Sequence, residues 1–308
     1  MSRNNKIGED YEQNDNNNDE QLVLLSSLQQ LEELDLSECQ LPGLFVAQFL
    51  DGKRPPANLK KLFLQGNPFG DGGFEALMTL VGNAPLQELN TSKCQLTDEA
   101  MRKISFEEGG SLFMPSLRSW NLCDNQLTEI AISHLGEGLK HATVLPQLKE
   151  LNLSGNELGE NGVKLLAAAL ETRNSNETLL EILDLTNTKC TVEGASAIIQ
   201  RSKVKTLHLF NNNLSSDGFR TLSGVLKGGH PTMEYLDLGG NGADQASVVV
   251  LLNALVENSV VDFKNDLKTL VVGGNESGDA VEQIVCKVKV VHPRLEIARD
   301  KKKSNDHR

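Results

Sequence analysis

"LKELNLSGNEL", residues 148–158, spaces its leucines three, two and five apart and places Asn156 inside the last gap. Neither a helix of period 3.6 nor a strand of period 2 gives that spacing over its whole length. The stretch therefore divides. Leu151 and Leu153, two apart, sit on a short strand and point to one face. Leu158 arrives from another direction, so the chain turns sharply between them. An inward turn strands backbone groups, and Asn, with two donors and an acceptor, satisfies them. Asn156 is thus expected to be structural.

The register of this stretch, opening at Leu148, recurs from Leu31, Leu59, Leu86, Leu117, Leu180, Val204, Met233 and Leu267. The nine starts are separated by 28, 27, 31, 31, 32, 24, 29 and 34 residues. Cys39, Cys94 and Thr188 take the Asn slot in three coils, and Trp120 replaces an inward leucine, which marks it as core. A period in the high twenties with this internal pattern resembles the leucine-rich repeat.

The second half of each repeat reads as a helix. In "LGENGVKLLAAALETR" (158–173), Val163, Leu166, Ala167 and Leu170 follow i, i+3, i+4, i+7. The stretches 214–229 and 243–259 behave likewise. Strand and helix repeated in one sense give an α/β fold: a right-handed solenoid, or horseshoe, with parallel strands on the concave face and helices on the convex one. Long repeats with full helices resemble the ribonuclease-inhibitor-like class, over roughly residues 22–298.

The expected organisation is an Asn- and acid-rich disordered segment over 1–20, a repeat domain over 21–298 and a basic tail over 299–308. "QLVLLSSLQQ" (21–30) is read as a helical cap, and "HPRLEIARD" (292–300) as a tenth strand that does not close its turn, followed by lysines that discourage strand addition. The net charge is −12, and no apolar run approaches the ~18 residues of a membrane span. The start lacks an apolar signal core, and five cysteines form neither a CxxC pair nor a metal-ligand cluster. These features predict reduced thiols and a cytoplasmic location, with the nucleus as the other option.

Register also names the residues on the concave face. Glu33, Asp35, Glu38, Glu88, Asp124, Glu150, Asp184 and Asp237 lie there, against Lys61 and Lys93. An acidic face predicts a protein partner with a basic surface and repels nucleic acid. In the middle column Asn90, Asn121 and Asn152 succeed one another, an expected ladder of amides across the sheet. The same column then reads Asp184, His208, Asp237, a His between two carboxylates. Beside it Phe210 and Tyr235 are expected to be exposed, with Phe63 alone nearer the start. The expected contact residues are Asp184, His208, Phe210, Tyr235 and Asp237, then Phe63, Glu33 and Asp35.

No phosphate loop, nucleophile elbow or partnered nucleophile is legible, so neither an enzyme nor a cofactor is expected. The repeats resemble the arrays of Ran GTPase-activating proteins, tropomodulin-like proteins and NOD-like receptors. The first resemblance implies regulation of a small GTPase as the alternative function. That family's Phe-Thr-Gly-Arg segment is missing; the nearest basic pair is Lys53-Arg54 in "DGKRPP". The reading is thus a non-catalytic protein-protein interaction scaffold.

Overall fold

The structure, a computed structural model, describes residues 31–42, 57–81, 84–104, 114–141, 144–175, 179–228, 232–257 and 266–299. The expected disordered segment, the helical cap, Lys53-Arg54 and the lysine tail lie outside the described residues.

Ten three-residue strands form one parallel sheet in chain order. They are β1 Glu33–Asp35, β2 Lys61–Phe63, β3 Glu88–Asn90, β4 Ser119–Asn121 and β5 Glu150–Asn152. They continue as β6 Ile182–Asp184, β7 Thr206–His208, β8 Tyr235–Asp237, β9 Thr269–Val271 and β10 Glu296–Ala298. The described helices are α1 Gly70–Val81, α2 Asp98–Met101, α3 Glu129–Lys140, α4 Gly159–Ser175, α5 Val192–Arg201, α6 Ser215–Lys227, α7 Gln245–Glu257 and α8 Asp279–Val291. α2 is a single turn continued by a 3₁₀ turn at Arg102–Ile104. This is the α/β horseshoe that the spacing predicts, with the tenth strand in place.

Register never slips although the repeats differ in length. Leu62 pairs with Leu89, Leu89 with Trp120, Trp120 with Leu151 and Leu151 with Leu183, and the row runs on to Leu270 and Ile297. The extra residues are therefore accommodated outside the strands. A slip of one residue would turn every leucine outward, so burial of that row specifies the pairing. Leu183, Leu207, Leu236 and Leu270 are fully buried, and Trp120 stacks on Phe74 with ring centroids 6.2 Å apart. In α4, Val163, Leu166, Ala167 and Leu170 are all buried, as the helical spacing requires.

The turn after each of β1 to β9 passes through the left-handed region. Glu38, Gly66, Lys93, Asp124, Gly155, Asn187, Asn211, Gly240 and Gly274 hold φ between 52° and 74°. Seven are Gly, Asn or Asp, residues suited to that region, and Gly carries no Cβ penalty there. The turn asparagines then bind two coils at once. Asn156 Nδ2 donates to Leu153 O (2.9 Å) and Ser154 O (3.3 Å) in its own coil and to Leu122 O (3.0 Å) in the preceding one. Its Oδ1 accepts from Leu127 N at 3.1 Å. Asn241 and Asn275 repeat the arrangement. Where Cys94 replaces Asn, its thiol donates weakly to Leu64 O at 3.2 Å.

Candidate functional site

Each strand offers its first and third residues to the concave face. In the third-residue column the side chain bends back along its own strand. Asn90, Asn121 and Asn152 accept through Oδ1 from Ser92 N (3.1 Å), Cys123 N (3.0 Å) and Ser154 N (2.9 Å). Asp35, Asp184 and Asp237 do the same for Ser37 N (2.9 Å), Thr186 N (2.8 Å) and Gly239 N (2.8 Å). These Asx turns compete with any contact across the sheet. The expected amide ladder is not formed: no hydrogen bond joins Asn90, Asn121 and Asn152 to one another among the described residues. Asn90 instead donates to Gln65 Oε1 at 2.5 Å. The local N–H lies closer than the neighbouring amide and wins.

The expected contact residues fall into two groups. Glu33, Asp35 and Phe63 lie on β1 and β2; Glu33 and Asp35 are exposed and Phe63 is half-buried. Lys61 stands 3.9 Å from Glu33 and 3.4 Å from Glu88, partly neutralising that end. Asp184, His208, Tyr235 and Asp237 lie together on β6, β7 and β8, with Phe210 just past β7. The two groups stand at separate parts of the sheet and do not form one site.

In the late group, register sets His208 directly between Asp184 and Asp237. His208 Nδ1 stands 3.9 Å from Asp237 Oδ2, an ion-pair distance longer than a hydrogen bond. Asp237 is the main influence raising the His208 pKa; burial opposes it and the charge of Asp184 adds to it. Tyr235 departs from expectation. It is half-buried, because its ring packs against His208 with centroids 5.0 Å apart. Burial, then the charges of Asp237 and Glu296, raise its hydroxyl pKa.

Phe210 is 43% exposed, as expected. Its ring lies over the next coil, where a Cβ on Gly240 would meet Cε2 and Cζ at 2.9 Å and one on Gly239 would meet Cδ2 at 3.0 Å. The pair Gly239-Gly240 thus makes a seat for the ring. The sequence carries this signal as "GG" after β8, a pair that recurs only as Gly273-Gly274 after β9, the coils after β1 to β7 having a side chain at the first of the two positions.

A further hollow of about 260 Å³ lies mid-face across β3 to β7, with Ser119, Asn121, Glu150, Asn152, Asp184 and His208 among its lining residues. Among the described residues no group of three or more His, Cys, Asp and Glu is placed to hold a metal ion. All five cysteines are free thiols; burial pushes Cys94 and Cys190 up to about 12, and burial likewise raises Cys39 and Cys123. No described helix is long and apolar enough to cross a membrane.

Comparison with known proteins agrees with the architecture. A family model described as "Leucine Rich repeat" matches residues 145–167, around the stretch that decides the fold. The ribonuclease inhibitor of Sus scrofa is 26% identical over 294 residues, covering 85% of this chain and 62% of that protein. The ribonuclease inhibitor of Mus musculus is 27% identical over 270 residues, covering 85% of this chain and 50% of that protein. The chain therefore spans between half and two thirds of the length of these relatives. Among solved structures, an internalin from Listeria monocytogenes aligns over 89% of this chain and 84% of its own, at 12% identity and a TM-score of 0.44. A chain of the TLR13–ssRNA13 complex aligns over 90% of this chain and 37% of its own, at 18% identity and a TM-score of 0.43. Neither score is high enough to inform function. The chain thus carries the leucine-rich repeat architecture and is similar to the ribonuclease inhibitors over most of its length.

Proposed function

We propose that this chain is a non-catalytic protein-binding scaffold that receives a partner of basic surface on the late part of its concave face. The observation that carries the reading is the late group itself. Phe210 stands 43% exposed on a glycine seat, beside the tilted His208–Tyr235 ring pair and the carboxylates of Asp184 and Asp237. A preset aromatic next to fixed charges is the composition of an interface hot spot, because little ordering remains to be done on binding. The relatives, by their name, inhibit a ribonuclease, which accords with a protein ligand. A net charge of −12 disfavours the phosphates of nucleic acids and anionic lipids.

The test begins with capture on the immobilised chain, in parallel with the Phe210→Ala and Tyr235→Ala variants, followed by mass spectrometry. A protein retained by the wild type and depleted on both variants is the expected result. Equal retention by all three would place recognition elsewhere, first at Glu33, Asp35 and Glu38.

A further inference from the structure

The hollow across β3 to β7 has a physical origin in the sequence. The Asx turns pull Asn90, Asn121 and Asn152 down along their strands, so three successive coils present a low floor. Ser119 adds to the depth, since it is the one small side chain between Glu88 and Glu150 in the neighbouring column. The Lys61–Glu88 ion pair stands toward one end, and His208, backed by Tyr235, stands at the other.

The charges inside it are unequal. Glu88 is matched by Lys61 at 3.4 Å. Glu150 and Asp184, on adjacent strands, make no ion pair among the described residues, although Asp184 faces His208 across the register. Asn121 and Asn152 each commit Oδ1 to a backbone N–H, and their Nδ2 groups donate to no protein acceptor among the described residues. The hollow therefore combines two carboxylates outside any ion pair with two free amide donors. At about 260 Å³ it falls just below the ~300–1,000 Å³ of small-molecule pockets and suits a single side chain.

The geometry points to this hollow as a receptor for one arginine side chain of a protein partner. A planar guanidinium directs donors along separate edges and can meet carboxylates that come from two different strands, which a compact ammonium does less well. The Nδ2 groups of Asn121 and Asn152 then receive the carbonyls of the chain that carries the arginine. The inference rests on the concave face being the partner surface, and it places a second, charged anchor beside the aromatic one.

The probe is N-acetyl-arginine amide, titrated into the full-length chain while the side-chain amide resonances of Asn121 and Asn152 are followed in ¹⁵N spectra. Two isosteric double variants separate local from general charge. Glu150→Gln with Asp184→Asn empties the hollow of charge, and the Asn at 184 still accepts from Thr186 N. Glu33→Gln with Asp35→Asn makes the same change in net charge on β1. Saturable shifts are expected with the wild type and the β1 variant, with roughly tenfold or more weakening in the Glu150/Asp184 variant. The neutral isostere N-acetyl-citrulline amide should shift neither amide. Absence of saturable shifts, or equal weakening by both double variants, overturns the proposal, the latter leaving only a diffusely acidic face. If the probe fails while Phe210→Ala and Tyr235→Ala still lose the partner, the hollow alone is wrong. If the probe binds while those two variants keep the partner, the late-coil reading alone is wrong.

Discussion

Asn152 and Asn156 lie four residues apart in one coil, and the two faces of the sheet put the same side chain to different uses. Asn156 points inward, is 1% exposed and joins two coils through four hydrogen bonds. Asn152 points outward, closes a local turn through Oδ1 and leaves Nδ2 toward the concave hollow. Residue type alone does not distinguish them; register does. The inward face carries stability, whereas the outward face keeps donors, charges and rings available to a partner.

The largest effect that could break this division belongs to the inward row. Trp120→Ala removes the stack on Phe74 and the Nε1 donation to Thr91 Oγ1 at 3.3 Å. Denaturant unfolding should show a loss of about 3–5 kcal/mol. A loss below that of a typical surface substitution would mean the row is not the core. Next comes the asparagine pair. Asn156→Ala strands several buried backbone groups, each worth about 1–3 kcal/mol, whereas Asn152→Ala frees one part-exposed N–H. Thermal midpoints should fall clearly further for Asn156→Ala, and equal midpoints would contradict the register.

A smaller effect sharpens the comparison within the outward column. Asp184→Asn retains the acceptor for Thr186 N and should change stability by no more than about 0.5 kcal/mol. Asp184→Ala loses that acceptor and should cost about 0.5–1.5 kcal/mol. Matching losses in the two variants would show that charge, and not the Asx turn, holds Asp184 in place.

The smallest effect concerns His208, which faces Asp184 on β6 and Asp237 and Tyr235 on β8. Its folded pKa is raised above the unfolded value. Its contribution to stability is therefore fully present below the unfolded pKa and is lost as pH rises through the folded one. The difference in thermal midpoint between wild type and His208→Gln should shrink over that window. Binding of a basic partner should run the other way and tighten as pH rises, because the imidazolium that repels it is neutralised. A midpoint difference that grows with pH would reverse the sign and remove Asp237 as the cause.

Much of this division is legible in the sequence, because burial acts at fixed spacings. A repeat of Leu, Leu, Asn and Leu names the strands, the inward row and the turn asparagine without reference to any partner, and Trp120 is recognisable as core by position alone. The outward face is less legible because its contacts are short-range and depend on where each side chain bends. The amide ladder expected of Asn90, Asn121 and Asn152 yields to Asx turns, since a backbone N–H two residues on is nearer than the next strand's amide. Tyr235 is half-covered because it packs diagonally on the His208 ring of the adjacent strand, its register partner being Thr206, a contact visible only once β7 and β8 are aligned. Arg173 is the clearest omission. It ends a helical stretch as a solvent-facing base would, yet it is 1% exposed and donates to Leu148 O at 2.9 Å, and burial lowers its pKa to about 10. A fixed spacing specifies which way a residue faces, and long side chains can still reach across coils.

The central claim is that recognition resides on the outward late face and can be removed without disturbing the inward one. Its most direct test is calorimetric titration of a captured partner into wild type, Phe210→Ala and Tyr235→Ala, with unfolding curves recorded on the same samples. The account predicts a loss of about 2 kcal/mol for an anchoring aromatic, roughly thirtyfold in affinity, with unfolding midpoints close to wild type. Unchanged affinity in both variants, or a loss of affinity that merely tracks a loss of stability, would contradict it.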